Sequence, residues 1–314
     1  MLSGLAWVGA RARWFLAVGV LVATLLPSVS AFLRPFLPGL VALVFCIAMV
    51  RLDMRELARR AARPRRLALL AVWTLGLLVV TPALVWAGAT VLGMAEAHVA
   101  ALTYTFAAPP ITSAAALCLI LGLDAAFALE LTVFASLATP VLGPLVTKAL
   151  LGEAVPVDAP ALMLRVAAMI GAGWAMAMLI RRLAGPGTIE RHHATSDGVA
   201  AIVLVLFVIP LYDRFWDVVG TMPGYALGTL ALVLAANFGA QTLAAAGFRR
   251  AAQPALAGAA GLMWGNRNVS LYLAALPPDP LFGLYVAFYQ FPMLFTPMVM
   301  GRLLRGGPAD DAIG

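Results

Sequence analysis

Charge is scarce in this chain. Only 11% of its 314 residues are Asp, Glu, Lys or Arg, against about 25% in a soluble domain, which excludes an ordinary water-soluble globule. Cysteine is nearly absent: Cys46 and Cys118 both lie within apolar runs, so no disulfide framework is implied. The three histidines form no HExxH helix, no Gly-rich phosphate loop is present, and no Ser-His pair shares an apolar run, so an enzyme is not expected. His192 and His193, near Asp197, lack further ligands and read as solvated surface. Neither a metal site nor a cofactor is expected.

Apolar residues are abundant, at 63%. They fall into ten runs of about membrane-spanning length, near residues 14–33, 36–52, 67–91, 97–121, 125–149, 159–180, 197–213, 222–246, 254–277 and 280–303. The chain is therefore expected to be an all-α polytopic membrane protein whose main partner is the lipid bilayer. Its net charge of +7 does not point to nucleic acid, because the basic residues sit in short segments between apolar runs. Arg11 and Arg13, the arginines from Arg51 to Arg66, Arg181, Arg182 and Arg191, Arg249 and Arg250, and Arg302 and Arg305 all fall on one side if the N-terminus is cytoplasmic. With an even number of spans, both termini are then cytoplasmic, and a bacterial inner membrane is the expected location. Val29-Ser30-Ala31 resembles a signal-peptide cleavage site, but loss of the first run would spoil the division into two halves of five, so cleavage is not expected.

Five spans per half means that equivalent helices enter the membrane from opposite sides, the inverted repeat of many secondary transporters. The first repeat is expected over about 1–153 and the second over about 154–305 of a single module, with a disordered tail at 306–314. Such proteins place their solute site where interrupted helices occur at corresponding positions of the two halves. The fourth span carries Pro109 and Pro110 near its midpoint, which remove two amide donors and clash with the preceding turn. Thr112 and Ser113 follow, where a new half-helix is expected to begin with a positive dipole end. The ninth span, fourth of its half, contains Gly265-Asn266-Arg267-Asn268. An arginine at that depth costs roughly 2.5 to 3.5 kcal/mol, so Arg267 must face protein or trapped water. The expected site is lined by Pro109, Pro110, Thr112, Ser113, Asn266, Arg267 and Asn268. Asn237 and Gln241, one helical turn apart, and Gln290 either line the same cavity or bond helix to helix. Arg165, near a helix end, is expected to snorkel.

Three stretches in this order resemble the bile acid:sodium symporter family. They are LVALVFCIAMVRLDMRELARRAARPRRLALL (Leu40 to Leu70), GLDAAFALELTVFASLATPVLGPLVTKALLGE (Gly122 to Glu153), and Gly265 with Asn268 in the ninth span. The resemblance implies ten helices in two inverted five-helix repeats, a panel domain of spans 1, 2, 6 and 7, and a core domain of spans 3 to 5 and 8 to 10. Helices 4 and 9 would be broken and cross in the core. It also implies secondary active transport of a small organic anion by alternating access, with sodium bound near the crossing.

This chain departs from the family at the sodium ligands: Met263 stands for a glutamate, Arg267 for a glutamine, Ala114 and Ala115 for a serine and an asparagine, and Leu77 for a glutamine. Those changes remove hard oxygen ligands and add a fixed cation, so sodium coupling is not expected. The Arg267 guanidinium is expected to substitute for a bound cation, holding the anion directly or pairing with a carboxylate. Glu130, an acid well inside a span, is the candidate partner, either as a static ion pair or as a proton-coupling group. Efflux carriers of related architecture, auxin-efflux-like or arsenite-like, are the alternative, the latter through Cys118. A membrane sensor has no comparable support.

Overall fold

A computed structural model describes residues 21–50, 63–185, 191–251 and 253–306, with a few isolated residues before 20 and at 59 and 188. Residues 14–17 and 20 of the first apolar run, Arg13, Arg51, Arg55 and Arg60 of the basic segments, and the expected tail beyond Gly306 lie outside the described residues.

The described residues are almost entirely helical, and seven helices are long and apolar enough to cross a bilayer. They are α1 (Pro27–Val50), α2 (Pro64–Val91), α5 (Ala125–Leu151), α6 (Ala159–Ala184), α7 (Thr195–Thr221), α8 (Pro223–Arg250) and α11 (Pro280–Val299). Between them lie two interrupted segments. One is α3 (Glu96–Ala107) followed by α4 (Ala114–Ile120), and the other is α9 (Pro254–Gly265) followed by α10 (Ser270–Ala275).

Helix starts follow local chemistry. Pro27, Pro64, Pro223, Pro254 and Pro280 each occupy a first helical turn, where no amide partner is lost. Asp124 accepts the Phe127 amide at 2.8 Å and Asp279 the Leu281 amide at 2.9 Å.

One boundary differs from expectation. The sequence separates the first two spans near residue 35, whereas α1 continues through Pro35 and Pro38. A 3-10 turn over Arg34–Phe36 carries the chain past the missing amides, with Leu37 N donating to Arg34 O. The break falls instead at Leu25 and Leu26, ahead of Pro27. Proline likewise leaves its mark inside α2, where Gly76–Val80 forms a π-helical turn just ahead of Pro82.

Leu84, Leu164, Leu227, Leu243 and Met298 are all exposed. Each such side chain would favour burial by about 1.5 to 3 kcal/mol in water, so the surrounding solvent is hydrocarbon and the protein is a multi-pass membrane protein. Within it, α1 packs on α6 and α7, while α2 to α5 pack together and α8 packs on α9 and α11. Close approach of α6 to α1 depends on Gly173, where a Cβ would lie 2.6 Å from Ala42 O and 2.7 Å from Phe45 Cβ. A Gly173→Val variant is expected to lose about 1 to 3 kcal/mol of stability through overpacking. Gly171→Val, whose Cβ would meet open space, is expected to melt like the parent in detergent, and paired thermal melts check both.

Candidate functional site

Helix α3 stops because two consecutive residues, Pro109 and Pro110, lack amides, and Ala108 before them is extended. Helix α9 stops at Gly265, with Asn266 extended at φ −102° and ψ 97°. The two stretches lie side by side as an isolated antiparallel bridge between Pro110 and Arg267. Ile111 N donates to Asn266 O at 3.0 Å, and Asn268 N donates to Pro109 O at 2.8 Å. Each break thus satisfies part of the other's exposed backbone, which lipid cannot do.

Side chains at the crossing point two ways. On one face Asn237 Nδ2 donates to Gly265 O at 2.6 Å and to Asn266 Oδ1 at 3.4 Å, and the Tyr289 hydroxyl also donates to Gly265 O. Gln241 Nε2 donates to Asn237 Oδ1 at 2.6 Å and to Thr296 Oγ1 at 3.0 Å. This network is buried, and Gly265 is indispensable to it, since a Cβ there would collide with the Gln241 side chain and with Asn237 O. Arg267, also fully buried, donates through Nη2 to Leu77 O at 2.9 Å and to Phe106 O.

The other face of the crossing borders a cavity of about 260 Å³. Thr112, Ser113, Arg267, Asn268, Ser270 and Gln290 supply its polar lining. Val44 of α1, Leu204, Phe207 and Val208 of α7, and Met293 and Leu294 of α11 supply much of its apolar wall. Ser270 Oγ donates to Asn268 Oδ1 at 2.8 Å, which orients that amide at the cavity edge.

Among the residues expected at the site, the structure gathers Pro109, Pro110, Thr112, Ser113, Asn266, Arg267, Asn268 and Gln290 at the crossing or its cavity. Asn237 and Gln241 stand behind it in the helix-to-helix network, the second of their two expected roles. The Arg267 guanidinium pairs with no carboxylate among the described residues, which corrects one of its two expected roles, while the residue itself borders the cavity. It holds backbone carbonyls, and neither Leu77 nor Phe106 lines the cavity. Glu130 is a correction as well. Its partner is Arg66, with Nε 2.7 Å from Oε2, and the Arg66 guanidinium also lies over the Trp73 and Phe127 rings at 5.7 and 5.9 Å. Glu130 sits in the second turn of α5, beside the first turn of α2, where Arg66 reaches it.

Arg165 does not simply snorkel. Its Nη1 donates to Ala275 O at 2.9 Å, and Arg34 Nη2 reaches Leu273 O at 3.3 Å, so two arginines from α6 and α1 cap the last carbonyls of α10. Cys118 is buried and is not among the cavity-lining residues. Ser270, Tyr289, Thr296 and the two capping arginines were not anticipated as participants. Of these only Ser270 carried a local signal, three residues beyond Arg267 in the same interrupted stretch.

Compared with known proteins, the sequence matches no family model and no curated protein.

The Glu130 ion pair yields a test of its own. Removing one partner leaves a buried charge without its mate, while replacing both need not be costly. Arg66→Leu is expected to lower stability by up to about 3 kcal/mol, and the double variant Arg66→Leu/Glu130→Leu to recover most of that loss in thermal melts.

Proposed function

We propose that this protein is a secondary transporter that carries a small organic anion by alternating access. The observation that supports it best is the meeting of two interrupted helices, joined backbone to backbone, beside a cavity that reaches across to α1 and α7. In this reading the described helices belong to ten spans in two inverted repeats. Segment α3–α4 is the fourth span of the first half, and α9–α10 is the fourth span of the second. The resemblance to bile acid:sodium symporters fits the same arrangement, with α1, α6 and α7 in the panel and α2 to α5 and α8 to α11 in the core.

The chemistry of the cavity suits an anion with an apolar body. Hydroxyls of Thr112 and Ser113 and amides of Asn268 and Gln290 can donate to an anionic group, and no carboxylate lies among the lining residues to repel it. Phe207, Val208 and Met293 can cover a hydrocarbon portion.

Sodium dependence is not part of this reading. Met263, Ala114, Ala115 and Leu77 offer no side-chain oxygen, and the buried Arg267 guanidinium already brings a positive charge to the crossing. Glu130, engaged by Arg66 and outside the cavity lining, is a static pair here, not a proton carrier. The buried position of Cys118 away from the cavity weighs against the arsenite-efflux alternative.

Uptake of labelled organic anions into proteoliposomes tests the proposal. Transport is expected, at equal rates with sodium or choline outside. Failure across a panel of aliphatic and aromatic carboxylates and sulfonates would remove the transport reading, and a sodium requirement would remove the uncoupled one. Ser113→Ala and Gln290→Ala are each expected to raise KM about tenfold, the effect of losing one hydrogen bond to a charged group, with melting temperature unchanged.

A further inference from the structure

Arg267 holds two carbonyls in two different helices, and at each the next amide in the local register would belong to a proline. In the π-helical turn of α2 the Thr81 amide bonds Gly76 O, five residues back. Continued in that register, Leu77 O would take the amide of residue 82. That residue is Pro82, which has none. In α3 the α-helical partner of Phe106 O would be the amide of residue 110. That residue is Pro110, again without one. Ala108 N, the ordinary donor to Tyr104 O at 3.1 Å, also serves Thr105 O at 3.2 Å in place of Pro109, which leaves Phe106 O for another donor.

A buried carbonyl without a partner is costly, and hydrocarbon offers it no relief. One nitrogen of Arg267 meets both needs. Nη2 carries two hydrogens, and the structure aims it at Leu77 O and Phe106 O. The remaining donors, Nε and Nη1, have no hydrogen-bond partner, and no carboxylate pairs with this arginine among the described residues. Its ring neighbour is Phe106, whose centroid lies 6.0 Å from the guanidinium carbon.

We propose that Arg267 is a positioning residue whose single Nη2 group replaces the two amide donors withheld by Pro82 and Pro110. It thereby ties the bulge of α2 to the broken end of α3. The three residues form a set: the prolines free two carbonyls, and the arginine gathers them into one clasp. Through the Phe106 carbonyl the clasp fixes the chain just ahead of Pro109 and Ile111, the residues that pair with Asn268 and Asn266. This inference depends on the hydrogen bonds alone and stands or falls separately from the transport proposal.

The test is a thermal-melt cycle on the purified full chain in detergent. Arg267→Met keeps the length and removes the donors, and is expected to melt several degrees lower. Pro82→Ala restores an amide to Leu77 O and is expected to be near neutral alone but to recover part of the loss when combined with Arg267→Met. Arg267→Lys, whose ammonium also offers several hydrogens from one nitrogen, is expected to stay close to the parent. In Arg267→Ala the vacated space is expected to admit free guanidinium. About 10 mM guanidinium chloride, far below denaturing levels, should then raise its melting temperature by linkage, while the parent does not gain and sodium chloride has no such effect. If Arg267→Met does not fold, recovery of folded yield by Pro82→Ala is the equivalent supporting result. Strict additivity of the two substitutions, or a Lys variant as damaged as the Met variant together with no selective guanidinium response, would overturn the proposal.

Discussion

Two backbone hydrogen bonds, Ile111 N to Asn266 O and Asn268 N to Pro109 O, carry the arrangement of this protein. A membrane helix keeps every amide and carbonyl satisfied within itself, so breaking one at depth strands several groups at once. Breaking two and laying the ends against each other removes part of that cost. It also fixes where each half-helix restarts. Thr112 and Ser113 follow one end and Asn268 and Ser270 the other, and they face a common cavity because the bridge sets their register.

The polar residues at the crossing divide the remaining work. Asn237, Gln241, Tyr289 and Thr296 tend Gly265 O and the Asn266 amide on one side. Arg267 tends Leu77 O and Phe106 O. Arg267 also borders the cavity, whose other polar lining consists of hydroxyls and amides. A buried positive charge without an opposing carboxylate is costly in most settings. Here it lies against the negative ends of carbonyl dipoles belonging to two distorted helices, which lowers that cost.

The interruptions themselves were legible in the sequence. Proline deletes an amide in any surroundings, and an arginine in an apolar run must find protein, so Pro109, Pro110 and Arg267 announced themselves. Their partners did not. Arg267 bonds to main-chain oxygens, which every residue possesses, so no side-chain pattern could single out Leu77 or Phe106. Glu130 misled because its partner, Arg66, belongs to a basic segment that the topology rule already accounts for. A break also destroys helical periodicity, so nothing in the order Asn266, Arg267, Asn268 foretells that the first turns toward α8 and α11 while the third borders the cavity. Pro35 and Pro38 show the reverse error: a 3-10 turn absorbs them, and the helix runs on.

The mutual satisfaction of the two breaks has a consequence for biosynthesis. Arg267 lies 161 residues beyond Phe106, and at the usual speeds of translation that separation takes roughly 8 to 30 s to make. Until then the first half sits in the bilayer with the carbonyls of Phe106 and Pro109 and the amide of Ile111 awaiting groups not yet synthesised. The early half is an incomplete object, held open until its counterpart leaves the ribosome, and the late half closes both.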